Sequence, residues 1–358
     1  MRVIVVENDP TLRLAAVLLD PTTSAERRAA WAAYMRHDQP DFEGWASAAL
    51  QRCAAMLPAR IVMVSDLAQL HAALPEADAV ILEDLPIGPT ELALAPKLRA
   101  VQTFGTMARR IDAAACAARG VPVRLVRRRV NIGVAETAMS MVMAFAKQLH
   151  RIDGLVSFER LIAAGYQAGH FDTRHTPNAN WGRVQKIRLI SGSRLGLLGF
   201  GEIGREMARL GNGAGMRVSY YQRTRLSPAE EQALNVSYAS FDELLAGSDF
   251  LSLHLPKEAV DVINAAALAK MKPDSYLINT ARAQSVNKAA VIAALRSGHL
   301  GGAGFDVFHE EPLKEDDELF SLDNVIMTPH LAGAPRSNAL EDMAEMLEGL
   351  AAVVARDA

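Results

Sequence analysis

The sequence predicts an α/β fold: a doubly wound parallel sheet accompanied by a second, discontinuous α/β domain. Three observations predict it. Short apolar runs alternate with segments of helical period along most of the chain, the pattern of parallel strands joined by crossover helices. One such run, Leu195–Leu198, feeds directly into a glycine-rich turn and then a helix. A chain of 358 residues also exceeds what one compact core organises, so about two domains are expected.

Taken in order, the apolar runs of the first part are Val3–Val6, Ile61–Val64, Ala79–Leu82, Ala100–Phe104 and Val121–Val126. Residues 24–57 between the first two are Ala-rich and helical in character, interrupted near Pro40, and read as an added helical decoration. A long apolar helix is expected at about Val134–Leu149, where Met139, Met141, Met143 and Phe145 suit a core or a subunit interface. A polar stretch around Gly169–Arg183 follows. The second run of strands is Leu195–Leu198, Val218–Tyr221, Phe250–His254, Tyr276–Asn279, Gly304–Val307 and Val325–Thr328. From about Ser337 to Ala355 an apolar stripe of Leu340, Met343, Met346, Leu347 and Leu350 marks a final helix.

Composition narrows the function. The formal charge is −3, against a nucleic-acid-binding protein, and half of the residues are hydrophobic with 22% charged, as in soluble globular proteins. Only Cys53 and Cys116 are present, so no disulfide framework is indicated. The N-terminal apolar run turns acidic at Glu7, too soon for a signal peptide. No stretch reaches the roughly 20 apolar residues of a membrane span, and a cytoplasmic, soluble chain is expected. The nine histidines form no ligand-like i, i+4 pair, so no metal site is indicated.

The sharpest local signal is Leu198-Gly199-Phe200-Gly201-Glu202-Ile203-Gly204. Gly199, Gly201 and Gly204 form a G-x-G-x-x-G pattern between a buried strand and a helix. The first glycine permits the tight turn, the second lets backbone N–H groups approach a pyrophosphate, and the third lets helix and strand pack closely. The helix N-terminus adds unpaired N–H groups and a partial positive charge, so this stretch is expected to hold a dinucleotide in a Rossmann-type domain. The next strand ends at Tyr221-Gln222-Arg223-Thr224-Arg225, without the Asp or Glu that usually holds the ribose hydroxyls of NAD. Arg223 and Arg225 could instead pair with a 2′-phosphate, and NADP is therefore expected in preference to NAD.

Three further segments fall at strand ends on the same side of that sheet, where parallel α/β folds bind ligands. They are Asn279-Thr280-Ala281-Arg282, Asp306-Val307-Phe308-His309-Glu310-Glu311-Pro312 and Thr328-Pro329-His330. From about Leu98 to Gly333 the chain resembles the D-isomer-specific 2-hydroxyacid dehydrogenase family, whose Arg, Glu before Pro and His after Thr-Pro match Arg282, Glu311 and His330. Their separations of 29 and 19 residues fit the family, as do Val134-Ala135-Glu136 and His254-Leu255-Pro256. The resemblance implies hydride transfer between NAD(P)(H) and a small 2-hydroxy acid/2-oxo acid pair. Arg282 would anchor the carboxylate through its planar fork. His330 would be the general acid in reduction and the general base in oxidation. Glu311 would orient the imidazole and favour its protonated form.

By the same resemblance Asp306 would lie near the nicotinamide. Glu202, Ile203, Gln222, Thr224, His254, Leu255, Pro256, Thr280 and Ala281 join the glycines, Arg223, Arg225, Arg282 and His330 around the cofactor. Gly105 and Thr106 would hold substrate together with Arg282 and His330. Three positions depart from the family pattern: Ala283 follows Arg282 where the family has glycine, the 104–110 segment has one glycine and extra charge, and Thr137 stands where many members have histidine.

The domains are expected as a substrate domain, 1–130 with 333–358 returning to it, and a dinucleotide-binding domain, 131–332. A cleft site and a homodimer through the Val134–Leu149 helix are implied. The rival reading is a non-catalytic, nucleotide-sensing binding protein of the same fold, resembling corepressors. Finally, Arg109, Arg110, Arg124, Arg127, Arg128 and Arg129 crowd two short segments, and surplus cations beside a substrate would favour a second anionic group.

Overall fold

The computed structural model describes residues 1–354, and the last helix is seen as Ser337–Val354, so Ala355 lies outside the described residues. The chain divides into two compact units: unit 1 is Met1–Gly133 with the segment from Gly333 onward, and unit 2 is Val134–Ala332. Each holds one all-parallel sheet.

In unit 1 the strands are β1 (Arg2–Glu7), β2 (Ala59–Val64), β3 (Ala79–Leu82), β4 (Ala100–Thr103) and β5 (Val123–Arg124), in the order β2-β1-β3-β4-β5. β1 shows why its residues are apolar on both sides. Ile4 and Val6 enter one core, while Val5 enters the other, as the two-residue period of a strand covered on both faces requires. The apolar run expected at Val121–Val126 shrinks to two paired residues. Pro122 has no N–H to donate, and only its carbonyl joins the sheet, accepting from Val101 N–H at 3.0 Å.

Residues 24–57 are not a peripheral decoration. Helices Ala25–Met35 and Phe42–Arg52, N-capped by the side chains of Ser24 and Asp41, bury Met35, Phe42 and Ala46 in the same core as Ile4 and Val6. The stripe of the final helix closes that core with Leu340, Met343, Met346, Leu347 and Leu350. From the same helix the fully buried Asp342 accepts the backbone N–H of Arg129 at 2.9 Å and its guanidinium at 2.8 Å, fixing the start of helix Arg129–Lys147.

Unit 2 contains β6 (Arg194–Leu198), β7 (Arg217–Tyr221), β8 (Ser237–Tyr238), β9 (Phe250–Leu253), β10 (Ser275–Asn279), β11 (Leu300–Phe305) and β12 (Val325–Met327). Their order is β12-β11-β10-β9-β6-β7-β8. The two-residue edge strand β8 is an addition to the six that the sequence shows. β11 begins earlier than its apolar residues suggest, because Gly301 and Gly302 belong to it. Gly302 and Gly304 answer the methionine-rich helix packed on this strand. A Cβ on Gly302 would lie 2.8 Å from Phe145, and one on Gly304 would lie 2.7 Å from the Met141 sulfur. Met139, Met141 and Phe145 are buried against Leu195 and Leu197, whereas Met143 stays exposed. No helix among the described residues is long and apolar enough to cross a membrane.

Candidate active site

The carboxyl ends of β6, β7, β9, β10, β11 and β12 carry the unit 2 residues singled out by sequence. The glycine turn follows β6, and Gly199 adopts φ +93°, which disfavours any side chain. A Cβ there would sit 2.2 Å from the carbonyl oxygen of His254, and one on Gly204 would sit 2.7 Å from the carbonyl of Gly199. The turn is therefore a bare backbone cradle. Helix Glu202–Gly213 begins at Gly201 with no side-chain cap, leaving its first N–H groups to an incoming anion, while Ile203 packs inward. Two buried polar atoms on neighbouring strand ends, His254 Nε2 and Thr280 Oγ1, have no partner within the protein. Burial pushes the His254 imidazole down to about 4, so it is neutral at ordinary pH. Leu255 packs into the adjacent core, and Pro256 is exposed. Bare turn, uncapped helix and orphan donors or acceptors fit a bound dinucleotide.

At the end of β7 the two arginines part company. Arg225 is tied to Glu231 through Nε at 2.8 Å and Nη2 at 2.9 Å, with its guanidinium over Tyr238. Arg223 is exposed and makes no side-chain bond. The Gln222 amide donates to the carbonyl of Thr224 at 2.7 Å, closing the turn between them.

The catalytic candidates sit on three loops. Arg282 is exposed after β10, its Nη1 donating to the carbonyl of Ala281 at 2.6 Å. The fully buried Asn279 shapes that turn by accepting from Ala281 N–H and donating to the carbonyl of Arg282. Glu311 and His330 meet: Nδ1 of His330 lies 2.7 Å from Oε2, while Oε1 accepts the N–H of Phe308 at 2.9 Å. Burial alone would raise the Glu311 carboxyl. The hydrogen bonds from His330 and Phe308, with the charges of His330 and Arg282, bring it below its usual range.

His330 stands at φ +51°, a left-handed backbone that costs a non-glycine residue roughly 1–2 kcal/mol. Asp306 over-determines it. Its buried carboxylate accepts from the Thr328 hydroxyl at 2.6 Å and from the N–H groups of Leu331 and Ala332, both at 2.9 Å. Asp306 thus braces the histidine loop. From the long helix the Thr137 hydroxyl donates to the carbonyl of Ala332 at 3.4 Å. Asn279, Thr328 and Thr137 are supports that residue patterns did not reveal.

Gly105 and Thr106 follow β4 in unit 1. Gly105 adopts φ +153°, and its carbonyl accepts from the Thr103 hydroxyl and Val126 N–H. Of the crowded arginines, Arg128 pairs with Glu83 at 2.9 Å and lies over Phe104, and Arg129 pairs with Asp342 and Glu345. Those two have structural employment within unit 1. Among the described residues no group of three or more His, Cys, Asp or Glu could hold a metal ion.

A parallel sheet whose bare glycine turn shares an edge with a histidine–carboxylate pair and an exposed arginine defines an NAD-linked oxidoreductase acting on a hydroxy acid/oxo acid pair. Residues 139–332 match the model of the D-isomer specific 2-hydroxyacid dehydrogenase, NAD binding domain. The chain belongs to the D-isomer specific 2-hydroxyacid dehydrogenase family. It is 35% identical over 256 residues to a glyoxylate reductase of Thermococcus litoralis, covering 71% of this chain and 72% of that one. A glyoxylate reductase of Pyrococcus furiosus is 36% identical, with 71% of each chain covered. The apo D-mandelate dehydrogenase of Rhodotorula graminis shares the fold, with a TM-score of 0.56 at 22% identity over 98% of this chain and 94% of that one.

Proposed function

We propose that this dehydrogenase reduces glyoxylate or a similarly small 2-oxo acid, with NADPH preferred to NADH. One observation carries the catalytic assignment: His330 meets Glu311 through Nδ1, so Nε2 is left for a substrate, the ring is well exposed, and Arg282 is near enough to Glu311 for its charge to act on that carboxyl. When bound, the reduced nicotinamide supplies a hydride to the carbonyl carbon. Arg282 holds the substrate carboxylate and polarises the carbonyl. Protonated His330 donates its Nε2 proton to the carbonyl oxygen, and Glu311 stabilises the imidazolium beforehand. In the oxidising direction the same nitrogen takes the hydroxyl proton. Asp306 keeps the loop in the one geometry that aims His330.

The small substrate is supported by the likeness to two glyoxylate reductases and by the structural pairing of Arg128 and Arg129, which removes two cations from any second anionic group. NADPH preference is supported by the absence of a carboxylate at Gln222 and by the unpaired Arg223. Initial rates with both coenzymes against glyoxylate, hydroxypyruvate and dianionic 2-oxo acids test the reading. The highest kcat/KM is expected for NADPH with glyoxylate or hydroxypyruvate, and clear preference for a dianionic acid or for NADH overturns the corresponding half.

A homodimer through the outer face of unit 2 is part of the same proposal. Met143, Leu149, Ile187 and Leu189 are exposed. The bond from Arg188 N–H to the carbonyl of Ala146 brings the last two beside the helix end. Exposed apolar residues gathered in this way mark an interaction surface. Sedimentation of wild type and Leu149→Asp decides it: a monomeric wild type ends the idea.

A further inference from the structure

The unequal treatment of the two arginines after β7 points to a residue outside the nucleotide turn. Glu231, on helix Pro228–Leu234, has a carboxylate that is only 12% exposed. It accepts both Arg225 bonds and, on Oε1, the hydroxyl of Tyr220 at 2.9 Å. The Tyr220 oxygen in turn accepts the N–H of Leu226 at 2.8 Å, and the Tyr220 ring is fully buried. The carboxylate is thus anchored through a core side chain and cannot swing away without breaking three hydrogen bonds. The Arg225 bonds, together with its charge and the Tyr220 hydroxyl, hold the Glu231 carboxyl below its usual range even against the opposing effect of burial.

We propose that Glu231 is a coenzyme-specificity residue, which withdraws Arg225 from a coenzyme 2′-phosphate and leaves Arg223 as the cation that reads it. The inference rests on the reading that the end of β7 receives the adenosine ribose. A phosphate recruiting Arg225 would have to replace two charge-assisted bonds with two others, for little net gain. Arg223 has no such partner to give up. Glu231 therefore limits the advantage of NADPH over NADH without touching the phosphate.

The test is kcat/KM for NADPH and NADH, with glyoxylate, in wild type, Arg223→Ala, Arg225→Ala, Glu231→Gln and the Glu231→Gln, Arg225→Ala double variant. Gln at 231 is isosteric and can still accept the Tyr220 hydroxyl, so the fold should survive, and thermal melts confirm it. In Glu231→Gln the ratio of NADPH to NADH efficiency should rise about tenfold through the KM for NADPH, the size of one gained charge-assisted contact. The gain should shrink with added salt and vanish in the double variant. Arg223→Ala should lower efficiency with NADPH far more than with NADH, and Arg225→Ala should move the ratio less than about threefold. An unchanged or reduced ratio in Glu231→Gln, or an Arg225→Ala loss equal to that of Arg223→Ala, overturns the role of Glu231. If Arg223→Ala leaves the ratio where it was, the underlying reading of the β7 end fails instead, so the two failures are distinguishable.

Discussion

Unit 1 and unit 2 solve the same topological situation in opposite ways. In unit 1 the strand order reverses between β1 and β3; in unit 2 it reverses between β6 and β9. Such a reversal opens a crevice at the carboxyl ends of the two strands. In unit 2 the crevice is lined by Gly199 and the carbonyl of His254, with no side chain between them. In unit 1 it is filled from within: Oε2 of Glu7 accepts the N–H groups of Glu83, Asp84 and Leu85 at 2.7, 2.9 and 3.1 Å. Three convergent backbone donors make an anion site, and unit 1 supplies its own anion. The fold makes the place; one side chain decides whether a guest can use it.

The same contrast runs through two histidine–glutamate pairs. His71 and Glu91 of unit 1 are 2.9 Å apart, much as His330 and Glu311 are at 2.7 Å. Yet Glu91 also accepts the N–H of Gly88 in a helix capping box, and its carboxylate is nearly buried. His71 binds it through Nε2, the nitrogen that His330 leaves free. Proximity of the two residue types therefore does not set the pairs apart; the orientation of the ring and its access do.

The comparison is broken most forcefully at the histidines. His330→Ala should lower kcat by on the order of 10²–10⁴-fold, as loss of a general acid does. His71→Ala should leave kcat unchanged while costing about 1–2 kcal/mol of stability, because buried Glu91 loses a partner. Single-turnover rates and urea melts of both variants measure this, and equal kinetic losses would erase the distinction between the pairs.

Next comes the crevice. Gly199→Ala combines a disfavoured φ with overlap against His254 and should weaken coenzyme binding by on the order of 10²-fold. Glu7→Ala should leave coenzyme affinity alone and cost about 1 kcal/mol of stability through three unsatisfied N–H groups. Coenzyme titration by fluorescence, set beside denaturant melts, tells the two apart; a Glu7→Ala enzyme that loses coenzyme would contradict the division of labour.

The smallest effect is a pH dependence. His254 titrates at about 4 in the folded chain, against an ordinary value of 6.5. Between those values the unfolded chain binds the proton and the folded chain does not. Its contribution to stability is therefore complete above pH 6.5 and declines as the pH falls toward about 4. Unfolding free energies measured at pH 7 and pH 5 should differ less in His254→Gln than in wild type.

Much of this was legible in the residues. The glycine turn, the strand ends and the Arg282, Glu311 and His330 spacing are local patterns, each contained in a few consecutive positions. What the residues did not show shares a physical cause: it depends on partners distant in the chain. Asp306 bonds residues 22 to 26 positions away, and Thr137 bonds one 195 positions away. Nothing in the local pattern says which backbone groups such side chains will meet. Arg225 looked as available as Arg223 because Glu231 lies in the next helix. The start of β11 was hidden by its glycines, which carry no apolar side chain to mark a strand, whereas Phe145 and Met141 occupy the space that side chains on Gly302 and Gly304 would need. Residues 24–57 looked supplementary because their helical pattern does not reveal that Met35 and Phe42 share a core with β1.

The closing helix has a further consequence, for the order in which the molecule can be made. The core of unit 1 needs Leu340, Met343, Leu347 and Leu350, and the start of helix Arg129–Lys147 needs Asp342. All of these leave the ribosome after the last residue of unit 2, Ala332, has been synthesised. Domains usually complete themselves from the N-terminus onward during synthesis. Here the nascent chain must carry its first 133 residues without their final helix while the nucleotide sheet behind them finishes, so the part begun first is the part completed last.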